Sequence, residues 1–298
     1  MSRTLVLSLV LTGFVSTAVA AQSSQPRYDP VWHGSIGAAA LVGAGLLVWS
    51  ERDELPVCKW CGVDANGQPD APGIDEWAES TWRRNGHEDR ASTISHVTAG
   101  VSYAWPLIGL TSVHGGFRGE WARDQVVAIE SLAVAQFAAD AAKRAFRRAR
   151  PAMVFDGAPA QTMDDVHSYF SGHTTTTFAA VVSTATIASR RGSRHATWIW
   201  IAGVGTASTT GYLRVAANRH FLTDILTGAA VGTTVGLVMP RLFDEARPAT
   251  GEPVAAAPPP ISGLGPVAHL GSGDSHSATL QFGAGARSVG IVGTVNLR

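Results

Sequence analysis

Cysteine is almost missing from this chain: of 298 residues only Cys58 and Cys61 carry a thiol. Two thiols alone cannot close a zinc site. Their spacing, Cys-Lys-Trp-Cys, allows a thioredoxin-like redox pair or a local structural disulfide. No βαβ pattern surrounds the pair, so the disulfide in an oxidising compartment is the expected state. Gly62 rather than His follows Cys61, which argues against haem attachment. Net charge is missing as well, with 23 Lys plus Arg against 23 Asp plus Glu. Bulk charge therefore gives no reason to expect a nucleic-acid partner. Ala91 to Phe117 has no Lys, Arg, Asp or Glu at all. Strand-like alternation is absent from the central part of the chain.

Small and apolar residues fill that space, and they point to close-packed helices rather than disorder. The start reads as an export signal over residues 1–21. Arg3 supplies the charge, Leu5 to Val19 the apolar run and Ala18-Val19-Ala20 the small-residue cleavage site. The mature protein is then expected in the periplasm or cell envelope. Val31 to Ser50 reads as a helix, Glu51 to Arg90 as mostly loop with a short helix around Ile74 to Arg84. Asp64, Asn66 and Asp70 have part of the composition of a calcium loop, but Gly67 stands at the wrong position. Pro106 and Gly109 are expected to kink or split the uncharged stretch. Trp121 to Arg150 reads as one long helix, stopped by Pro151. Ala152 to Tyr169 reads as a loop. Helices follow over His173 to Ser189, Ala196 to Tyr212 and about Asn218 to Leu237.

The expected fold is all-α, a bundle of about six helices over residues 22–245. Residues 246–260 read as a Pro- and Ala-rich linker. In 261–298 the alternation at Ala278, Leu280, Phe282 and again at Val289, Ile291 predicts a short C-terminal β-hairpin. The uncharged stretches are long enough to span a bilayer, but Thr, Ser, Gly and His dilute them. They read as buried helices of an exported domain, soluble or attached to the membrane surface.

Three clusters carry possible chemistry. In the first, Lys143, Arg147 and Arg150 fall at i, i+4 and i+7, which a helix would place on one face. Converging cations suit an anion such as phosphate, whereas the plain reading is a solvated basic helix end. The second, Ser171-Gly172-His173 followed by four threonines, opens a predicted helix whose free N–H groups favour an anion. Its plain reading is an ordinary N-cap. The third holds Arg214, His220 and Asp224. One helical turn apart, Asp224 would fix the His220 tautomer and sharpen its other nitrogen as a base or nucleophile. A helix-surface ion pair, or a satisfied core histidine, is the plain reading there.

Taken together, Lys143 with Arg150-Pro151, then Ser171-Gly172-His173, then Arg214, His220 and Asp224 resemble the signature of the type 2 phosphatidic acid phosphatase and vanadium haloperoxidase superfamily. Order and spacing within each motif match over about Trp121 to Pro240. Phe170 stands where that family usually has Pro, and Leu213 where a small residue is usual. The resemblance implies an acid phosphatase/haloperoxidase-like helical fold and a metal-independent phosphomonoester hydrolase. Lys143, Arg150, Arg214, Ser171 and the Gly172 N–H would bind the phosphoryl group. His220 would attack phosphorus, Asp224 would orient it, and His173 would serve as acid and then base. The implied substrate is a phosphorylated small molecule or lipid, with possible membrane association. No cofactor is implied, vanadate being an inhibitor or, in the alternative haloperoxidase reading, the cofactor itself. A non-catalytic envelope scaffold is the third reading.

Overall fold

The structure, a computed structural model, describes residues 30–50 and 56–242, and the backbone of 281–285 and 288–292. The expected export signal, residues 1–21, and the expected linker, residues 246–260, lie outside the described residues. Two compact units divide near Ala246. In the first, the helices are α1 (Pro30–Ser50), α2 (Gly73–Trp82), α3 (Glu88–Tyr103), α4 (Trp105–His114), α5 (Trp121–Phe146), α6 (Pro151–Phe155), α7 (Gly172–Arg190), α8 (Ala196–Ala216) and α9 (Leu222–Leu242), with a 3-10 turn at Met163–Val166. Six of them run sixteen residues or more, and no strand lies among the described residues of this unit. In the second unit, Gln281–Gly285 pairs antiparallel with Ser288–Val292.

Helix α7 is the axis, packed by α9, α8, α5, α4 and α3. Its residues are small and buried along nearly the whole length. The hydroxyls of Thr175, Thr176, Ser183 and Thr184 donate to carbonyls about one turn back, so the polar side chains enter the core satisfied. Close approach also needs glycine on the facing helix. A Cβ at Gly236 of α9 would stand 2.9 Å from the Ser183 nitrogen, one at Gly228 3.0 Å from the Ser171 carbonyl, and one at Gly232 nearer still to the Thr175 carbonyl. The repeat of four puts these glycines on one stripe and lets backbones meet backbones.

The helix boundaries differ from the sequence reading in several places; helix α8, for one, continues past Tyr212 to Ala216 and carries Arg214 on its last turn. The uncharged stretch breaks at Ala104, and Pro106 falls just inside the first turn of α4, where its missing N–H is harmless. Gly109 does not break α4; its missing side chain admits Thr184 of α7. Helix α5 stops at Phe146, because Arg147 takes a left-handed φ of 40°. Helix α9 starts at Leu222 rather than Asn218 and continues through Pro240, which lies close enough to the end to cost few backbone hydrogen bonds. The stretch read as a loop before Tyr169 holds α6 and the 3-10 turn. The Asp64 carboxylate is used by its own loop, accepting from the Asn66 and Gln68 N–H groups.

Because α5 and α8 run toward one end of the bundle and α7 and α9 run away from it, that end collects every residue of the three motifs. It receives the last turn of α5, the Arg147–Pro151 link, the first turn of α7, the last turn of α8 and the first turn of α9.

Candidate active site

The turn between α8 and α9 sets the geometry of His220. Asn218 at φ 55° reverses the chain, and Phe221 caps α9. Asp224, three residues on, accepts from the Phe221 N–H at 3.1 Å, one half of a capping box. His220 therefore precedes the helix, and the expected i, i+4 helical pairing is not what joins the two side chains. Nδ1 of His220 lies 2.9 Å from the Ser168 carbonyl and 3.6 Å from Asp224 Oδ2. A carbonyl only accepts, so Nδ1 carries the hydrogen and Nε2 keeps its lone pair. Ser168 also donates its hydroxyl to Asp224 Oδ2 at 2.6 Å. One residue thus holds both members of the pair, and the sequence offered no sign of it.

Around His220 stand three cations. Burial first, then Arg150, Arg214, Lys143 and His173, hold His220 well below the ordinary imidazole range. It is neutral near pH 7. Arg214, only 5% exposed, reaches the Ser95 hydroxyl at 3.5 Å, and its Nε meets no acceptor among the described residues. Burial and the neighbouring Arg150 bring it down to about 9. Lys143 lies against the first turn of α7, where a Cβ on Gly172 would crowd its ammonium at 3.3 Å. Burial and Arg150 push Lys143 down too. Arg150 is more engaged than its sequence pattern implied. It donates to the Asp164 carbonyl and carboxylate and to the Arg219 carbonyl, which leaves two of its five N–H groups. For Asp164, burial raises the carboxyl, but Arg150 and Lys143 outweigh it and hold it low.

Ser171 caps α7 as the sequence predicts, its hydroxyl accepting from the Thr174 N–H and hydroxyl. His173 comes next on that turn. Burial, then Arg214, His96 and Lys143, bring it down to about 3. Its Nε2 is 3.1 Å from Nδ1 of His96, an exposed residue of α3. The structure therefore gathers Lys143, Arg150, Ser171, Gly172, His173, Arg214, His220 and Asp224 at one end of the bundle. Arg147 is the exception: it terminates α5 and acts on His167 instead.

The residue the sequence reading passed over is Arg148. It is 2% exposed and lies between the rings of Trp60, at 4.1 Å, and Phe221, at 3.8 Å. Its guanidinium donates to Asp224 Oδ1 at 2.6 Å, to Asp75 Oδ2 at 2.9 Å and to the Thr223 hydroxyl at 2.8 Å. Asp75, buried in the first turn of α2, also accepts from the Thr223 N–H. Its only sequence signal was an acid near a helix start, which reads as an ordinary dipole contact.

Comparison with known proteins falls on the same segment. Residues 125–248 match the family described as the PAP2 superfamily, and all three motifs lie inside that range. A Lipid A 1-phosphatase of Porphyromonas gingivalis is 36% identical over 140 residues, 46% of this chain and 28% of that protein. The chain thus spans less than a third of the length of that relative. A crystal structure of the first transmembrane PAP2-type phosphatidylglycerolphosphate phosphatase from Bacillus subtilis aligns over 69% of this chain and 92% of its own, at 18% identity and a TM-score of 0.42.

Proposed function

We propose, from a chain whose residues 125–248 carry the PAP2 superfamily motifs, that it hydrolyses phosphate monoesters through a phosphohistidine on His220. One observation carries the reading: a buried guanidinium, Arg214, with an unmet Nε, stands with Lys143 and Arg150 around a neutral imidazole. Cations crowded without an anion repel one another. A phosphoryl group with two negative charges between them would satisfy Arg214 and Lys143 and use the two spare N–H groups of Arg150. The Gly172 N–H and the Ser171 hydroxyl complete the cradle at the positive end of α7.

Each catalytic role follows from the chemistry of these groups. Nε2 of His220 attacks phosphorus as the P–O bond to the leaving group breaks. His173 gives that oxygen its proton, and afterwards takes one from the water that hydrolyses the phosphohistidine. The surrounding cations and burial alone hold His173 too low to carry a proton near pH 7. The bound dianion offsets Arg214, Lys143 and Arg150 and so raises His173 toward the range of a working acid. Asp224 offsets the positive charge that develops on His220. The three cations do the charge stabilisation that a metal does in other phosphoryl-transfer sites.

The substrate we favour is a lipid phosphate met at the membrane surface outside the cytoplasm. The support is apolar surface on the helices that build the site. Ile94 and Val97 are exposed on α3 beside His96, which reaches His173, and Leu107, Ile108, Trp198 and Ile201 are exposed farther along the bundle, on α4 and the first turns of α8. Among the described residues one helix, Leu222–Leu242, is long and apolar enough to cross a bilayer, though nearly half of it is buried in the bundle. The test is phosphate release from phosphatidic acid in mixed micelles beside p-nitrophenyl phosphate, in EDTA and with orthovanadate. Release from both, higher kcat/KM on the lipid, survival in EDTA and loss with orthovanadate support the reading. No release from either substrate, or strict need for a divalent cation, overturns it.

A further inference from the structure

The two cysteines lie 85 residues before the first motif in sequence order, if counted from Cys58 to Lys143, and still reach the site in space. The disulfide Cys58–Cys61 closes a four-residue loop with a Cα separation of 5.3 Å. That loop forms an isolated bridge with the link after α5. The Lys59 N–H donates to the Arg147 carbonyl at 3.0 Å, and the Trp60 carbonyl accepts from the Ala149 N–H at 2.9 Å. Between those two bonds sits Arg148. Trp60 covers one face of its guanidinium and Phe221, the neighbour of His220, covers the other. Cys58 packs beside Ala149, Val154 and Phe221. Trp60 remains 37% exposed, and its ring is held over Arg148 by the bonds on either side and by the Tyr169 ring, whose centroid is 5.7 Å away.

We infer that Arg148 is a positioning residue for the nucleophile, and that the Cys58–Cys61 loop is the strap that holds it through Trp60. This rests on the reading of His220 as nucleophile. The physical path is short. Arg148 fixes Asp224 Oδ1, and Asp224 Oδ2 with the Ser168 hydroxyl fixes the segment whose carbonyl orients His220. The Arg148 carbonyl in turn accepts from the Ser168 N–H at 3.0 Å, so the backbone of Arg148 carries the same restraint. Asp75 and Thr223 hold the guanidinium in its plane, and the two rings hold it against movement out of that plane. A strap at Trp60 is the one element of this set that a covalent change can release. Dithiothreitol would supply two electrons and two protons, closing its own ring disulfide and leaving Cys58 and Cys61 as separate thiols.

The experiment compares the full-length oxidised protein, its dithiothreitol-treated form, Trp60→Ala, Trp60→Phe, Cys58→Ser with Cys61→Ser, and Arg148→Lys. The readouts are steady-state hydrolysis of p-nitrophenyl phosphate, competitive inhibition by inorganic phosphate, melting temperature, and the 15N signals of the His220 imidazole. Trp60→Ala should lower kcat about tenfold, short of the roughly hundredfold that an ångström of misplacement costs, and Trp60→Phe should recover most of it. The double serine variant and the reduced protein should fall in the same direction. KM and the phosphate inhibition constant should stay within about twofold, because the phosphate-binding groups are not touched. In the oxidised wild type His220 should show one tautomer, protonated at Nδ1, which averages with the other once the strap is loosened. Arg148→Lys keeps the charge but loses the planar fork, and should cost more than Trp60→Ala. A lower melting temperature with unchanged kcat and unchanged His220 signals would make the loop a plain brace and overturn the inference. If the wild type hydrolyses no phosphate ester, the functional reading fails, and the His220 signals alone still decide whether the strap positions the imidazole. Should Arg148→Lys not fold, the Trp60 pair carries the decision.

Discussion

Replacing Asp224 with Asn separates two ways in which a carboxylate helps a histidine. Asp224 is fully buried and accepts three hydrogen bonds, from Arg148 at 2.6 Å, the Ser168 hydroxyl at 2.6 Å and the Phe221 N–H at 3.1 Å. Asn has one accepting oxygen and one donating NH2, so either rotamer puts a donor against Arg148 or against the Phe221 N–H. One buried donor is then unmet, at about 1–3 kcal/mol, and Arg148 keeps only Asp75 as a counter-charge. A stability loss of about 3 kcal/mol is expected, toward the low end for a broken buried pair. The kinetic loss has a different source. In a Ser-His-Asp triad the same change costs about 10⁴-fold in kcat, because the imidazole takes the wrong tautomer. Here the Ser168 carbonyl holds the Nδ1 hydrogen independently of Asp224. What is lost is charge: at 3.6 Å a unit pair is worth about 4–5 kcal/mol at an effective dielectric near 20, and Arg148 already offsets part of it. The expected loss is therefore roughly 100-fold, about 2.7 kcal/mol. The assay is kcat on p-nitrophenyl phosphate per folded molecule, beside urea unfolding and inhibition by inorganic phosphate. A loss near 10⁴-fold with phosphate inhibition intact would show that Asp224 alone sets the tautomer. Wild-type kcat would remove Asp224 from the mechanism.

His220→Ala should abolish turnover, and acid quench of the wild type with labelled substrate should trap an acid-labile phosphoenzyme; a burst without one would exclude the covalent route. Stability should fall as pH is lowered from about 6.5 toward 4. His173 and His167 are held down to about 3 and about 4, and His220 is held well below the ordinary imidazole range, so in that window the unfolded chain binds protons that the folded chain does not. The slope is at most about 1.4 kcal/mol per pH unit for each histidine, and saturating phosphate should flatten it; stability that rises on acidification would contradict the buried neutral imidazoles. Gly232→Ala should lose about 1–3 kcal/mol, because its Cβ would meet the α7 backbone, while Gly205→Ala, with open space around it, should gain about 0.5–1 kcal/mol; equal effects in urea unfolding would refute the close α7–α9 approach.

What the sequence made legible is what is local. The cap at Ser171, the Lys143 to Arg150 spacing and the Arg214, His220, Asp224 order depend on neighbours within a few residues, and the structure brings all of them to one end of the bundle. Assigning one helix to Trp121–Arg150 failed at Arg147 because a left-handed residue that is not glycine leaves no compositional trace. The same error hid Arg148. On a continuous helix it would point away from Lys143, whereas after the break it turns inward beneath Trp60. Asp75 and Ser168 were invisible for a different reason. Their partners lie 148 and 52 residues away, at Thr223 and His220, and no periodicity reports such pairings.

The two kinds of residue also divide the work physically. In the proposed site the cations that hold the phosphoryl group need donors to spare: Arg214 is the clearest case, and Arg150, though paired with Asp164, keeps two N–H groups. Arg148 is the opposite. Two carboxylates and a hydroxyl take three of its N–H groups and two rings cover its faces, so its charge is already met and its place is beside Asp224 rather than in the proposed phosphate cradle. A basic cluster read from sequence cannot tell these apart, because both are written as arginine. The distinction lies in whether an acid from a distant helix arrives to pair with each one. Asp75 on α2 and Asp224 on α9 arrive at Arg148. None arrives at Arg214 among the described residues, and that asymmetry is what the proposed phosphate site rests on.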